Sequence, residues 1–212
     1  FLRIMHIIGG FSPTIASYIS LKRNNKVKNF KEWLKKIFDI KHTIGTYALV
    51  ILFVLIYYVL GCAINGFEFG APLFMLIVIL PMMLFGGGNE EVGWRMILQP
   101  ELEKEFGFHI ATIFTAIIWW LWHLPIFFII GTANANMNYF LFGIMCLTLC
   151  YALATIRKVS NGVFPCILTH CLINGLSAIF VSNYSLLSCC ITLIVTIIVS
   201  TLILHINKSY IR

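Results

Sequence analysis

Charged side chains are scarce in this sequence. Only 11% of its 212 residues are Asp, Glu, Lys or Arg, whereas a soluble domain has about 25%. Hydrophobic residues make up 60%, and the mean hydropathy is +0.93. This number of charged residues is too small to cover the surface of a water-soluble fold. We therefore expect a multi-pass protein of the cell membrane whose main partner is the lipid bilayer.

The sequence also lacks the cysteine spacing of a disulfide framework or a zinc ribbon. Its seven cysteines are scattered, and no two form a C-x-x-C pair. An odd count without paired spacing predicts no framework. Most of them lie in apolar runs, where we interpret them as small buried hydrophobic residues.

Long apolar stretches predict the fold class. Seven of them cover residues 4–20, 44–63, 71–88, 108–130, 139–156, 162–182 and 187–206. A span needs about 20 apolar residues, so several stretches are slightly short, and the third can continue to about residue 100. We predict an all-α protein, a polytopic transmembrane helix bundle with about seven hydrophobic spans.

The net charge of +7 indicates membrane topology rather than a nucleic-acid partner. Eight of the 15 basic residues lie between Lys22 and Lys41, and short loops rich in Lys and Arg stay in the cytoplasm. With segment 21–42 in the cytoplasm, the remaining basic clusters fall on the same side, in the predicted loops 101–107 and 157–161 and the tail 207–212: Lys104, Arg157 with Lys158, and Lys208 with Arg212. The 64–70 and 131–138 connections fall outside and contain no Lys or Arg.

These assignments divide the chain into three parts. Residues 1–43 hold a partial first span and a basic cytoplasmic loop, residues 44–206 form the main membrane domain, and residues 207–212 form a short cytoplasmic tail. Because the chain begins with Phe1 rather than Met, we expect a fragment or a processed chain.

The basic loop contains a predicted amphipathic helix. Apolar residues recur at helical spacing from Phe30 to Phe38, and lysines fill the other face. Asn29 and Glu32, three residues apart, are typical of a helix start. The helix lies either in the cytoplasmic interface of the membrane or on the cytoplasmic rim of the bundle.

The first polar motif inside the apolar segments covers residues 86–95, GGGNEEVGWR. An ionised side chain at the bilayer centre costs about 2.5–3.5 kcal/mol, so these charges must face the interior, pair, or lie near an interface. Glu91 and Arg95 are four residues apart and can form an ion pair, which leaves Glu90 as the free carboxylate. Alternatively, Asn89 caps a helix start and the two Glu complement its dipole.

The second motif places His123 deep in an apolar stretch, with Trp119 one turn earlier on the same face. Pro125 cannot donate a hydrogen bond to the carbonyl of Leu121, so a kink is expected beside His123. The alternative is a histidine that only hydrogen-bonds the backbone, among tryptophans that only pack.

The third motif is His170 and Asn174, four residues apart on one helical face. Two polar groups on one stripe of a span face protein or a water-filled cavity rather than lipid. The alternative is that both only join neighbouring helices, an interaction of modest energy in membranes.

Together the motifs place a carboxylate, two imidazoles and a carboxamide on three inward-facing spans. A peptide hydrolase needs a base to activate water, an acid for the leaving amine and donors for the oxyanion. These residue types can fill all three roles, and they also suit a divalent metal with an open position for water.

In this order the motifs resemble those of the CPBP family of intramembrane proteases. That family groups CAAX prenyl endopeptidases with bacterial bacteriocin-processing and immunity proteins, the Abi proteins. Its E-E-x-x-x-R motif matches residues 90–95, its F-x-x-x-H motif matches residues 119–123 with Trp in place of Phe, and its H-x-x-x-N motif matches residues 170–174. The resemblance covers roughly residues 44–206.

The resemblance implies a helical bundle with an intramembrane active site and endoproteolysis of a peptide at or in the membrane. It implies that Glu90 activates water with help from His123. It also implies that His170 and Asn174 support the oxyanion. The remaining motif residues would be structural or electrostatic support: Glu91, Arg95 and Trp119.

The cofactor is open at the level of sequence. The family has been described both as metal-dependent and as glutamate-type, and Zn²⁺ is the candidate metal. Glu90, His123 and His170 are its candidate ligands, although no H-E-x-x-H motif is present.

The expected substrate is a peptide or a membrane protein. The small size, with no long loops or extra domain, resembles the bacterial members, so we expect maturation of a secreted peptide or self-protection against a bacteriocin. The rival interpretations are a non-catalytic immunity or membrane-partner protein and a small transporter whose polar residues line a path.

Overall fold

The computed structural model describes residues 8–210. The start of the first predicted span, residues 4–7, and the end of the predicted tail, residues 211–212, lie outside the described residues. The α-helices are, in chain order, α1 Ser12–Arg23, α2 Phe30–Ile37, α3 Ile44–Asn65, α4 Leu76–Met83, α5 Glu91–Gly93, α6 Gln99–Trp122, α7 Tyr139–Ser160, α8 Phe164–Ser177 and α9 Leu186–Tyr210.

Short elements connect these helices. The 3₁₀-helices are Leu73–Met75, Gly88–Glu90, Leu124–Phe128 and Ala133–Asn136, and one π-helical turn covers Trp94–Leu98. Strands β1 Glu68–Phe69 and β2 Phe180–Val181 pair antiparallel, with Glu68 opposite Val181.

The predicted all-α polytopic class is confirmed. Within the described residues, four helical runs are long and apolar enough to cross a membrane: Ile44–Asn65, Leu73–Phe128, Tyr139–Ser160 and Leu186–Asn207. The third and fourth predicted stretches form one such run, whose two apolar arms are separated by the Glu-Glu motif. The sixth stretch gives the shorter apolar helix α8, and the chain is a multi-pass membrane protein.

The bundle has two chemically different ends. At the first, the basic loop, the start of α6 and the end of α7 meet through two ion pairs, Lys26 Nζ to Glu101 Oε1 at 3.0 Å and Lys158 Nζ to Glu103 Oε2 at 2.6 Å. We call this the basic end. At the other, the strand end, the β1–β2 pair closes the bundle. Three segments predicted to be cytoplasmic therefore lie together: 21–42, 101–107 and 157–161.

Helix α7 packs between its neighbours and is buried without interruption from Thr148 to Ile156. Helix α9 packs on it with a stripe of small polar residues spaced four apart, Thr192, Thr196 and Ser200, all buried. Small residues let helix backbones approach closely in a membrane, where apolar burial alone does not drive association. This packing fixes α7, which forms one wall of the site.

Helix α2 begins as predicted, because the Asn29 side chain accepts a hydrogen bond from the Glu32 amide at 2.9 Å. Trp33 and Ile37 are buried, and the Trp33 indole donates to the Ser17 hydroxyl at 3.2 Å. Of the two placements left open by the sequence, these contacts favour the rim of the bundle.

Candidate active site

The Glu-Glu motif lies where the helical run changes its winding. The chain turns at Gly87, whose φ of +150° is accessible to glycine but rarely to other residues. It then forms the 3₁₀ turn Gly88–Glu90, the short helix α5 and a π-helical turn. π-helical turns are frequent at functional sites. The glycine run was the sequence signal for this break, but it did not predict the new winding.

The alternative in which Asn89 caps a helix is wrong. The Asn89 amide instead donates to the carbonyl of Gly10 at 3.2 Å, and the Thr14 hydroxyl donates to the Asn89 carbonyl at 2.6 Å. A methyl group added at Gly93 would lie 2.4 Å from Cβ of Pro13. The start of α1 is therefore attached directly to the motif.

The predicted ion pair between Glu91 and Arg95 is present. Arg95 Nε lies 2.8 Å from Glu91 Oε2, and both side chains have 0% exposure. Arg95 Nη2 also contacts the Cys150 sulfur at 3.1 Å. Because lipid and protein surround these groups, the two charges neutralise each other away from water.

Glu91 has a second partner that the sequence did not predict. Its Oε1 lies 2.8 Å from His170 Nδ1. A carboxylate only accepts hydrogen bonds, so His170 Nδ1 carries the proton. The other ring nitrogen, Nε2, points to Gly87, where a methyl group would lie only 3.0 Å away.

As the sequence predicted, Arg95 pairs with Glu91 and not with Glu90, but Glu90 has two other neighbours that the sequence did not predict. The Trp119 indole donates to Glu90 Oε2 at 2.8 Å. His123 Nε2 lies 3.9 Å from the same oxygen. The spacing of Trp119 and His123 on one helical face was the available signal, but nothing in the sequence connected that face to Glu90.

His123 lies just beyond α6. The expected kink is the end of the helix: α6 stops at Trp122, and Pro125 stands inside the 3₁₀-helix that follows. His123 Nδ1 lies 2.8 Å from the carbonyl oxygen of Trp119. That oxygen only accepts, so Nδ1 carries the proton and Nε2 is the nitrogen that faces Glu90.

Asn174 completes the constellation. Its amide donates to the carbonyl of Gly86 at 3.4 Å. The same amide nitrogen would lie 2.5 Å from a methyl group at Gly87. The absent side chain of Gly87 therefore leaves a space that faces both His170 and Asn174.

A cavity of about 1100 Å³ brings these groups together. Five of the seven residues predicted for the site line it: Glu90, Trp119, His123, His170 and Asn174. Glu91 and Arg95 do not line the cavity. They lie behind His170, whose Nδ1 contacts Glu91. The arrangement presents a carboxylate, two imidazoles and a carboxamide to a molecule in the cavity.

The candidate zinc ligands do not form a ready metal site. Among the described residues, no group of three His, Cys, Asp or Glu side chains is placed to hold a metal ion. Glu90 and His123 converge, and His170 presents only its Nε2 to the cavity, because its Nδ1 contacts Glu91.

Residues 71–176, half of the chain, match the family described as type II CAAX prenyl endopeptidase Rce1-like. This chain belongs to that family. The three motifs that resemble those of the CPBP family, at residues 90–95, 119–123 and 170–174, all fall inside the matched residues.

A curated relative of this Rce1-like protein is the protein named CAAX prenyl protease 2 from Methanococcus maripaludis. The two are 27% identical over 135 residues, which is 57% of this chain and 49% of the relative. The chain therefore spans about half the length of the curated relative that it matches.

Proposed function

We propose that this protein is an intramembrane endopeptidase that hydrolyses a peptide bond in a peptide or membrane-protein substrate. One observation carries the proposal: two adjacent carboxylates have opposite surroundings. Glu91 is neutralised by Arg95 behind the wall, while Glu90 faces a cavity of about 1100 Å³. Membership of the Rce1-like family supports the same chemistry.

In this mechanism Glu90 is the base that activates water. Trp119 fixes its Oε2, and His123 Nε2 faces that oxygen at 3.9 Å, too long for a direct hydrogen bond. A water molecule that contacts both groups can lose its proton to Glu90 as it attacks the substrate carbonyl. The same proton can then pass to the leaving amine.

His170 and Asn174 stabilise the oxyanion in this proposal. The proton on His170 Nδ1 is donated in a hydrogen bond to Glu91. Nε2 can therefore donate a hydrogen bond only when the ring is an imidazolium, which carries a proton on both nitrogens. The Glu91 carboxylate stabilises that charged ring. A neutral His170 would leave the Asn174 amide as the only side-chain donor of this pair.

For the substrate, we propose a peptide that is matured or inactivated rather than a prenylated protein. The cavity is lined by both apolar and polar residues, so a matched pair of substrates is needed to distinguish the two classes. The same peptide sequence, with and without a farnesyl group on its cysteine, should be cleaved at comparable kcat/KM. Cleavage restricted to the farnesylated peptide would contradict this part of the proposal.

The central test compares Glu90→Gln with the wild-type protein in proteoliposomes, with a quenched-fluorescence peptide library as substrate. Gln keeps the shape of the side chain and removes the base, so kcat/KM should fall by about 10³-fold or more while thermal unfolding is unchanged. Glu105→Gln, an exposed carboxylate outside the site, is the matched control and should retain activity.

The outcomes separate the rival interpretations. Cleavage that survives Glu90→Gln would remove this residue from the mechanism. Peptide binding without cleavage by the wild-type protein would support a non-catalytic partner or immunity protein. Solute flux that requires Glu90 would support a transporter.

A further inference from the structure

The residues that line the cavity all lie in one half of the bundle. Helix α6 starts at the basic end and reaches the cavity only from Trp119 onward. Helix α8 also starts near the basic end and contributes only from His170 onward. Helix α7 runs the other way and contributes only its first half, as far as Leu149. The cavity therefore belongs to the strand-end half.

The other half is closed by a buried polar ladder. Glu91, Arg95 and Gln99 follow one another at four-residue spacing, and all three have 0% exposure. Gln99 Nε2 donates to Glu103 at 3.0 Å and to the Thr112 hydroxyl at 3.1 Å. These buried residues occupy the half of the bundle next to the basic end. The cavity is reached from the strand end, where its lining residues Asn136 and Asn138 are exposed.

Charge assigns the two ends to the two sides of the membrane. The Lys and Arg residues of the connecting segments collect at the basic end, and the sequence contains none from residue 105 to 156 or from 159 to 207. Short basic loops stay in the cytoplasm. The cavity rim instead carries uncharged amides and a hydroxyl: Asn134, Asn136, Asn138, Ser182 and Asn183.

We infer that the active-site cavity opens on the extracytoplasmic face of the membrane and that the substrate is a polypeptide segment presented there. The substrate is thus an exported peptide or the outer segment of a membrane protein. Carboxamide groups both donate and accept hydrogen bonds, which matches peptide groups on the incoming chain. This inference rests on the proposed function for the substrate, but the sidedness rests on geometry and charge.

The first experiment measures sidedness without using activity. Asn136→Cys and Glu68→Cys place a thiol at the strand end, and Lys35→Cys places one in the basic loop, since all three positions are exposed. The native cysteines stay in place, because Cys150 contacts Arg95, and the wild-type protein measures their background. A membrane-impermeant maleimide is applied to intact and to permeabilised cells.

Both strand-end thiols should react in intact cells, and the Lys35→Cys thiol should react only after permeabilisation. Reaction of Lys35→Cys in intact cells, with the strand-end thiols silent, would overturn the inference. Two strand-end positions are used so that one misfolded variant does not remove the test.

The second experiment tests the substrate. The peptide cleaved by the purified protein is inserted beside the single span of a reporter, once outside and once inside the membrane. Only the outward reporter should be cut, and Glu90→Gln should abolish the cut. Cleavage of the inward reporter alone would overturn the inference. If the wild-type protein cuts neither reporter and no peptide, the proposed function fails, whereas the labelling still decides the sidedness.

Discussion

Substituting Glu91 by Gln should destabilise the protein far more than the same substitution of Glu90, which faces the cavity. Glu91 is fully buried and holds two groups at 2.8 Å, Arg95 Nε and His170 Nδ1. Gln preserves the shape of the side chain but cannot neutralise Arg95. Removing one partner of a buried ion pair costs about 3–5 kcal/mol, because the other charge stays buried and unpaired.

This loss of stability can be measured as a fall in melting temperature. For a chain of this size, 1 kcal/mol corresponds to roughly 2–4 °C, so Glu91→Gln should melt roughly 6–20 °C below the wild-type protein. Tryptophan fluorescence in a single detergent gives this value. The matched control is Glu101→Gln, whose pairs with Lys26 and Lys104 are half-exposed and worth about 0–1 kcal/mol.

A double variant separates charge from shape. Glu91→Gln combined with Arg95→Met removes both buried charges, and replacing a whole buried pair is often neutral in stability. The double variant should therefore melt above the single one. A single variant that melts within about 2 °C of the wild type, or a double variant that melts lower still, would refute the reasoning. So would a well-folded but inactive Glu91→Gln together with an active Glu90→Gln.

Four further outcomes are expected at the site. Trp119→Phe removes the hydrogen bond to Glu90, and a hydrogen bond to a charged group is worth about 1.5–3 kcal/mol. The kcat of this variant should therefore fall roughly 10- to 100-fold, with KM and melting temperature nearly unchanged. Full activity would show that Trp119 does not support Glu90 in catalysis. Asn174→Ala should lower kcat by about 10²–10³ with little change in KM, whereas a variant that melts earlier but turns over normally would show that Asn174 only joins helices. Gly87→Ala should abolish cleavage, because its methyl group would lie 2.5 Å from the Asn174 amide nitrogen, and a normal rate would show that this space is not used by the substrate. Elemental analysis of the active protein should find well below one zinc per chain, with activity retained in chelator; loss on chelation and recovery with zinc would reverse this expectation.

The sequence predicted the contacts that are local along a helix. Glu91 and Arg95 meet because four residues make about one turn, so their ion pair followed from spacing alone. The bond between Glu91 and His170 joins residues 79 positions apart, and the bond between Trp119 and Glu90 spans 29 positions. Such contacts depend on how helices pack, and no spacing rule supplies that.

Hydropathy predicted the apolar segments better than the breaks between them. Residues 101–107 were expected to form a loop because they are polar, yet the helix there is interrupted only at Gly107, with φ of 72° and ψ of 173°. Polar residues can form helix where it emerges from the membrane, and a single glycine is enough to turn it. The boundary at Trp122 was signalled more clearly, because Pro125 limits continuation of the helix.

The attachment of α1 to the Glu-Glu motif bears on how the catalytic unit can be divided. Residues 71–176 carry the family match, but Asn89 binds the Gly10 carbonyl, and Pro13 fills the space left open by Gly93. Helix α1 and the residues just before it thus support the Glu-Glu motif from outside the matched region. Grafting the matched region alone onto another membrane scaffold would transfer the motifs without their support.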